Sequence, residues 1–286
     1  MLIIALVHFG VILPDPIYLR LIYYLYIGKR LNIKSPKTFN EKLQWLKLHD
    51  RNPEYTTMVD KVEAKNWVAE RIGEQYIIPT LGVWDRVEDI DFDALPDQFV
   101  LKTNHDSGGV VICKDKNKLD RSLARKKLAK SLKRDFYAYG REWPYKNVPH
   151  KILAEQFISS SAVEHTDDIP DYKFMCFNGR VECCFVCTDR NSQDGLKVTF
   201  FDRSWRLMPF MRHYPASQKE IPRPHNHDKM IELVEKLSVG LKFVRVDFYE
   251  VGDAIYFGEM TFYPGSGFEE FSPEEWDYKL GQLIKL

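Results

Sequence analysis

Residues 245–261 read RVDFYEVGDAIYFGEMT. Two runs of alternating apolar and polar residues flank Gly252-Asp253, so the stretch predicts a β-hairpin. Paired strands can place Asp247 and Glu259 on one face, and alternation adds Arg245 to it. Two carboxylates beside a guanidinium among apolar neighbours are costly to bury unless they pair or bind a cation. Hard carboxylate oxygens suit Mg²⁺ held together with substrate phosphates. An ion pair across a solvated strand face is the plainer alternative.

Hairpin signals recur upstream. YKFMCF and VECCFVCT flank Asn178-Gly179, the strongest short turn signal in the chain. QFVLKT and GVVICK flank His105 to Gly109, while KILAEQFI and VTFFD read as further strands. Helices are marked by Thr38-Phe39-Asn40-Glu41, a capping box, and by Asp60-Lys61-Val62-Glu63 opening a helix that Gly73 ends. Lys118 to Phe136 reads as a basic amphipathic helix and Met230 to Leu237 as another. Ser272-Pro273-Glu274-Glu275 predicts a last short one, with Ser272 as its cap. The pattern is α+β, with hairpins outnumbering strand–helix–strand crossovers. No G-x-G-x-x-G and no Walker A sequence is present.

Other residues carry possible chemistry. Lys102 is unusual inside an apolar strand, and the small residues Ser107, Gly108 and Gly109 after it offer backbone N–H groups for phosphates. A plain hairpin turn is the alternative. Lys61, placed in the first turn of its helix, sits where the dipole disfavours a cation but where an anion binds well. Glu155, beside strand backbone, can accept a hydrogen bond from an adenine amino group; a strand-edge residue is the alternative. His225-Asn226-His227-Asp228 reads as a loop.

Lys+Arg and Asp+Glu balance at 41 each, which points to no nucleic-acid partner. Cysteines cluster in VECCFVC and read as buried strand thiols of a reducing cytoplasm. The opening MLIIALVHFGVILPDP is too short an apolar run to span a bilayer and has neither a basic leader nor a cleavage site. PIYLRLIYYLYIGKR after it suits a helix packed on the protein body or one lying in a membrane interface.

The order of these features resembles the ATP-grasp superfamily, and most closely the TupA-like ATP-grasp family of teichuronopeptide and other cell-surface polysaccharide biosynthesis. The matching stretches are SPKTFNEKLQWLKLHDRNP, VDKVEAKNWV, DFDALPDQFVLKTNHDSGG, REWPYKN, DYKFMCFNG and RVDFYEVGDAIYFGEMTFYPGSG, spanning about residues 30–286. The resemblance implies two α+β subdomains grasping ATP, here residues 56–153 and 154–286, after a helical region at 1–55. Lys61 and Lys102 would hold phosphates under the loop Ser107 to Gly109. Glu155 and the backbone near Phe157 would bind adenine. Asp171 or Lys173 would approach ribose or phosphates, and Arg190 the phosphate or substrate. Asp247 and Glu259 would hold Mg²⁺, with Thr261 where many relatives have an Asn ligand, and Arg245 would face the transferred phosphoryl group. The implied activity is cytoplasmic carboxylate–amine ligation through an acylphosphate; peripheral membrane contact through the N-terminus is an alternative that the apolar opening stretch leaves open beside a packed helix. The rivals are an ATP-grasp kinase of sugar hydroxyls, a non-catalytic scaffold of the same pathway that keeps the fold without binding ATP, and a glycosyltransferase, for which Asp91-Phe92-Asp93 has the D-x-D spacing.

Overall fold

The computed structural model describes residues 13–158, 169–189, 192 and 195–286. Helices α1 (Asp15–Ile27), α2 (Phe39–His49), α3 (Glu54–Val59) and α4 (Glu63–Ile72) open the chain. Thr38 caps α2 in the full reciprocal box with Glu41, as its sequence predicts.

The first sheet joins β1 (Thr80–Trp84), β4 (Ile152–Gln156), β2 (Phe99–Thr103) and β3 (Val110–Cys113) in that spatial order, all antiparallel. One face is apolar: Phe99, Leu101, Ile152 and Ala154 are buried with Ala124 and Leu128 of α5 (Arg121–Leu132). Phe92 joins that core, and Asp93 pairs with Arg121 at 2.6 Å, so the D-x-D triplet is part of this packing. Because β4 belongs to this sheet, a division at 153/154 runs through one of its strands.

The second sheet has five antiparallel strands in the order β10 (Ala254–Thr261), β9 (Phe243–Val251), β5 (Asp171–Phe177), β6 (Arg180–Thr188) and β7 (Lys197–Asp202). Asn178 and Gly179 are both left-handed, at φ 49° and 81°, which is the hairpin turn that Asn-Gly favours. Phe174, Cys176, Val244, Val246 and Phe248 form part of the largest core, which also takes in Met230, Val234 and Leu237 of α7 (His227–Leu237). Burial raises the thiols of Cys176, Cys183 and Cys184, and all three are free. A short pair, β8 (Met211–Arg212) with β11 (Phe271–Ser272), precedes α8 (Glu275–Leu283).

Four local expectations are corrected. The helix after Asp60 starts at Glu63 because Asp60 Oδ1 accepts the Val62 N–H at 2.9 Å and the Asn104 amide at 2.8 Å, pinning the chain in a turn. Lys61 therefore stands ahead of the helix. The basic helix is shorter than 118–136: Asp120 caps its start, and Asp135 caps a separate turn α6 (Phe136–Gly140). Ser272 is a strand residue and caps nothing, since Ser272 pairs with Met211 and α8 starts beyond it. His227 opens α7 and is buried beside Trp205 and Phe174.

Candidate active site between the two sheets

The charged face of the second sheet follows from register. From Ala254 opposite Val251 to Phe257 opposite Phe248, β9 and β10 pair as a plain hairpin. Continued, that register would put Glu259 opposite Val246, on the reverse face. A bulge at Gly258 shifts β10 by one residue, so Glu259 lies opposite Asp247 and Thr261 opposite Arg245. A Cβ on Gly258 would lie 3.1 Å from the Asp247 carbonyl oxygen and 3.3 Å from its Cβ. β5 adds Lys173 opposite Asp247 and Asp171 opposite Tyr249 on the same face.

Arg245 clamps this face. Its Nε and Nη2 donate to the two Asp247 oxygens at 2.7 Å each, and Nη2 also donates to Glu259 Oε1 at 2.6 Å. Lys173 contacts Asp247 and lies 2.6 Å from Asp171 Oδ2. Burial pushes the Asp247 carboxyl up although Arg245 and Lys173 pull it down. Burial also opposes ionisation of Glu259, but Lys61, Arg245 and Lys173 overcome it and hold this carboxyl at about 2. Burial depresses the Lys173 ammonium, and Asp171 and Asp247 more than reverse that.

The first sheet faces these groups with its polar side. Glu155 is buried between Lys102, which it contacts, and Lys65 at 2.7 Å. Burial favours its neutral form, yet Lys102 and Lys65 keep it below the usual carboxylate range. Lys61 spans the gap, with Nζ donating to the Asp106 carbonyl at 2.8 Å and standing 3.7 Å from Glu259 Oε2. Charges of Asp171 and Glu155 both raise the Tyr249 hydroxyl, which places the two sheets' ionic groups within electrostatic reach. Phe157 lies just past β4, lining a cavity of about 770 Å³ with Leu81, Gln98, Lys114 and Gln156. That cavity is at the opposite end of the β2–β3 hairpin from the glycine loop.

The loop is organised from within. The Asp106 carboxylate accepts from Gly108 N–H at 3.4 Å, Gly109 N–H at 3.2 Å, and the hydroxyls of Thr103 and Ser131. Two of the N–H groups expected to meet phosphates are thus turned toward Asp106, while Ser107 and Gly108 remain exposed. Behind the site, the turn Pro264–Gly267 holds Ser266 at φ 54°. Lys47, fully buried, donates to the Ser266 carbonyl at 2.7 Å, to Ser266 Oγ at 3.0 Å and to Gln44 Oε1 at 2.9 Å. Burial lowers the Lys47 ammonium to about 7 against the pull of Glu142.

Sequence reading therefore brings together Lys61, Lys102, Glu155, Asp171, Lys173, Arg245, Asp247, Glu259 and Thr261. Phe157 lies apart at the cavity, and Arg190 lies outside the described residues. It missed Lys65, Asp106, Lys47 and Gly258. Lys65 had a signal, four residues after Lys61.

Among the described residues no three His, Cys, Asp or Glu side chains come together as a metal cluster, so a divalent cation here would take Asp247 and Glu259 together with phosphate oxygens. Asp247 and Glu259 offer hard oxygens directly across two strands, Thr261 adds a hydroxyl to that face, and the buried Asp247 carboxylate gains from any added positive charge.

Among curated proteins no sequence matches this one. Solved structures that this chain matches include the D-alanine–D-alanine ligase of Bacillus anthracis complexed with ATP, at 16% identity and TM-score 0.40, covering 72% of this chain and 53% of that one. The D-alanyl-alanine synthetase A of Vibrio cholerae O1 biovar eltor is similar at 12% identity and TM-score 0.45, covering 80% and 64%. The ATP-grasp ligase PsnB complexed with minimal precursor is similar at 10% identity and TM-score 0.42, covering 73% and 54%. This chain spans between about half and two-thirds of the length of those three. The sequence model of the TupA-like ATPgrasp family matches residues 41–285, nearly the whole of the chain, and the chain belongs to that family.

Proposed function

We propose that the chain is a Mg-ATP-dependent carboxylate–amine ligase of cell-surface polysaccharide or teichuronopeptide biosynthesis. The observation that carries this reading is the face made by the Gly258 bulge, where Arg245 links Asp247 to Glu259 and Lys61 reaches across from the other sheet. Asp247 and Glu259, with Thr261, would hold Mg²⁺, which when bound supplies neutralisation of phosphate charge. Lys61 and Lys102 bind phosphates under Ser107, Gly108 and Gly109. Glu155, kept ionised, accepts from the adenine amino group beside the backbone of Phe157. Asp171 or Lys173 meets ribose or phosphate, and Arg245 faces the phosphoryl group in transit, with Arg190 as a further basic contact.

The acid's carboxylate oxygen attacks the γ-phosphorus, ADP leaves, and an amine then displaces phosphate from the acylphosphate. The protein's part is positioning and charge stabilisation, as for other phosphoryl transfers. The residues of the Asp247–Glu259 face suit either an acid or a hydroxyl acceptor, so a sugar kinase is the second reading. The two are separated by incubating the protein with Mg-ATP, uronic acids or glutamate, and hydroxylamine. Hydroxamate with ADP is the expected result; a phosphorylated sugar without hydroxamate reassigns the protein as a kinase, and failure to bind ATP removes both readings.

A further inference from the structure

Helix α1 buries one side and leaves the other apolar. Tyr18, Leu19, Ile22 and Tyr23 pack with Leu31, Ile33 and Phe268. On the opposite side Ile17, Leu21 and Tyr24 follow the i, i+4, i+7 spacing and are 48%, 45% and 57% exposed. A contiguous apolar stripe of this kind on a helix marks an interaction surface.

Charge near the stripe is mainly basic, the exception being exposed Glu274, which pairs with Lys29 just past the helix. The single acid of α1, Asp15, is turned inward to Arg51 at 2.8 Å, Arg141 at 3.3 Å and Tyr137 at 2.8 Å. The exposed side carries Arg20, whose Nη1 only bonds its own helix at the Pro16 carbonyl, and the chain leaves the helix through Arg30 and Lys34, both exposed. The sequence entering α1, MLIIALVHFGVI (residues 1–12), has no Asp, Glu, Lys or Arg. Among the described residues no helix is long and apolar enough to cross a membrane.

We propose that the exposed side of α1 docks flat on an anionic lipid bilayer, with Ile17, Leu21 and Tyr24 in the acyl boundary and Arg20, Arg30 and Lys34 at the headgroups. Aliphatic side chains and tyrosines suit that depth, and each nearby cation gains from an anionic surface. A protein partner would need acidic groups around an apolar cleft. A bilayer of anionic lipid provides both without a matching shape. The inference stands apart from the ligase reading, since neither its residues nor its test involves ATP.

The test is co-sedimentation of the full chain with vesicles of phosphatidylcholine alone, or with about one third phosphatidylglycerol. Binding is expected to the anionic vesicles and to weaken with added salt. Leu21→Asp with Tyr24→Asp should cut partitioning at least about tenfold, and Arg20→Glu with Arg30→Glu should remove the preference for anionic lipid. Circular dichroism of each variant checks that the fold is kept. No binding to either vesicle overturns the proposal, as does binding that survives the Leu21 and Tyr24 substitutions. A dimer in lipid-free solution that those substitutions dissociate also overturns it and gives the surface to a second copy of the chain.

Discussion

At the scale of single residues, Glu259 and Lys47 both predict stability that rises with pH, in two separate windows. Glu259 is held at about 2, below the roughly 4.3 of an unfolded Glu. The unfolded chain therefore binds more protons between these values, and the stability Glu259 contributes is present above about 4.3 and lost as pH falls toward 2. Glu259→Gln should flatten acid unfolding in that window and abolish ADP formation, with the circular dichroism spectrum unchanged; full ADP release by this variant would refute the metal assignment. Lys47, lowered to about 7 from roughly 10.4 when unfolded, binds a proton less readily in the native state. Its contribution must rise as pH increases from about 7 toward 10. Urea midpoints measured across that range should climb in the native chain and climb less in Lys47→Met. Neither Lys47 nor Asp106 was legible as part of the site. Lys47 sits in the last turn of an amphipathic helix, where a surface Lys is ordinary. Only the folded chain reveals that this side of α2 meets Ser266.

Elements were more legible than their details. Alternation and turn residues located the β5–β6, β2–β3 and β9–β10 hairpins, because period-two patterning and Asn-Gly or Gly-Asp turns act locally. Helix starts were less secure, since Asp60 spends its carboxylate on Val62 and on Asn104, a residue distant in sequence. The bulge was invisible as well: a plain hairpin across Gly252-Asp253 puts Glu259 on the wrong face, and the correction depends on close approach at Gly258. Gly258→Val should therefore do two separable things. The added side chain crowds Asp247, which lowers stability by about 1–3 kcal/mol in urea unfolding. If the strand escapes that contact by losing the bulge, Glu259 leaves the Asp247 face and ADP formation fails even where the variant is fully folded. A variant with native turnover would mean that register does not govern the site.

For the molecule as a whole, α2 closes on the segment around α8, far away in sequence. Asn40 of α2 donates its N–H to Asp277 Oδ1 at 2.9 Å and its amide to Oδ2 at 3.2 Å, and Lys42 Nζ reaches the Ile284 carbonyl at 2.7 Å. Asp277→Ala should leave buried Asn40 donors unsatisfied and lower stability by roughly 1–3 kcal/mol, read as a lower urea midpoint at unchanged slope. An unchanged midpoint would mean that water replaces the carboxylate. The same closure has a consequence for synthesis on the ribosome. Phe39, whose ring meets Phe177, Phe243 and Phe271, is made early and its partners late. At about 5–20 residues per second, α2 waits roughly ten to forty seconds before its binding surface exists. The first sheet, by contrast, has its own core and its own ion pairs around Glu155, and can fold as it emerges. Nascent chains halted before β9 should thus display a protected first sheet and a protease-sensitive, chaperone-binding α2.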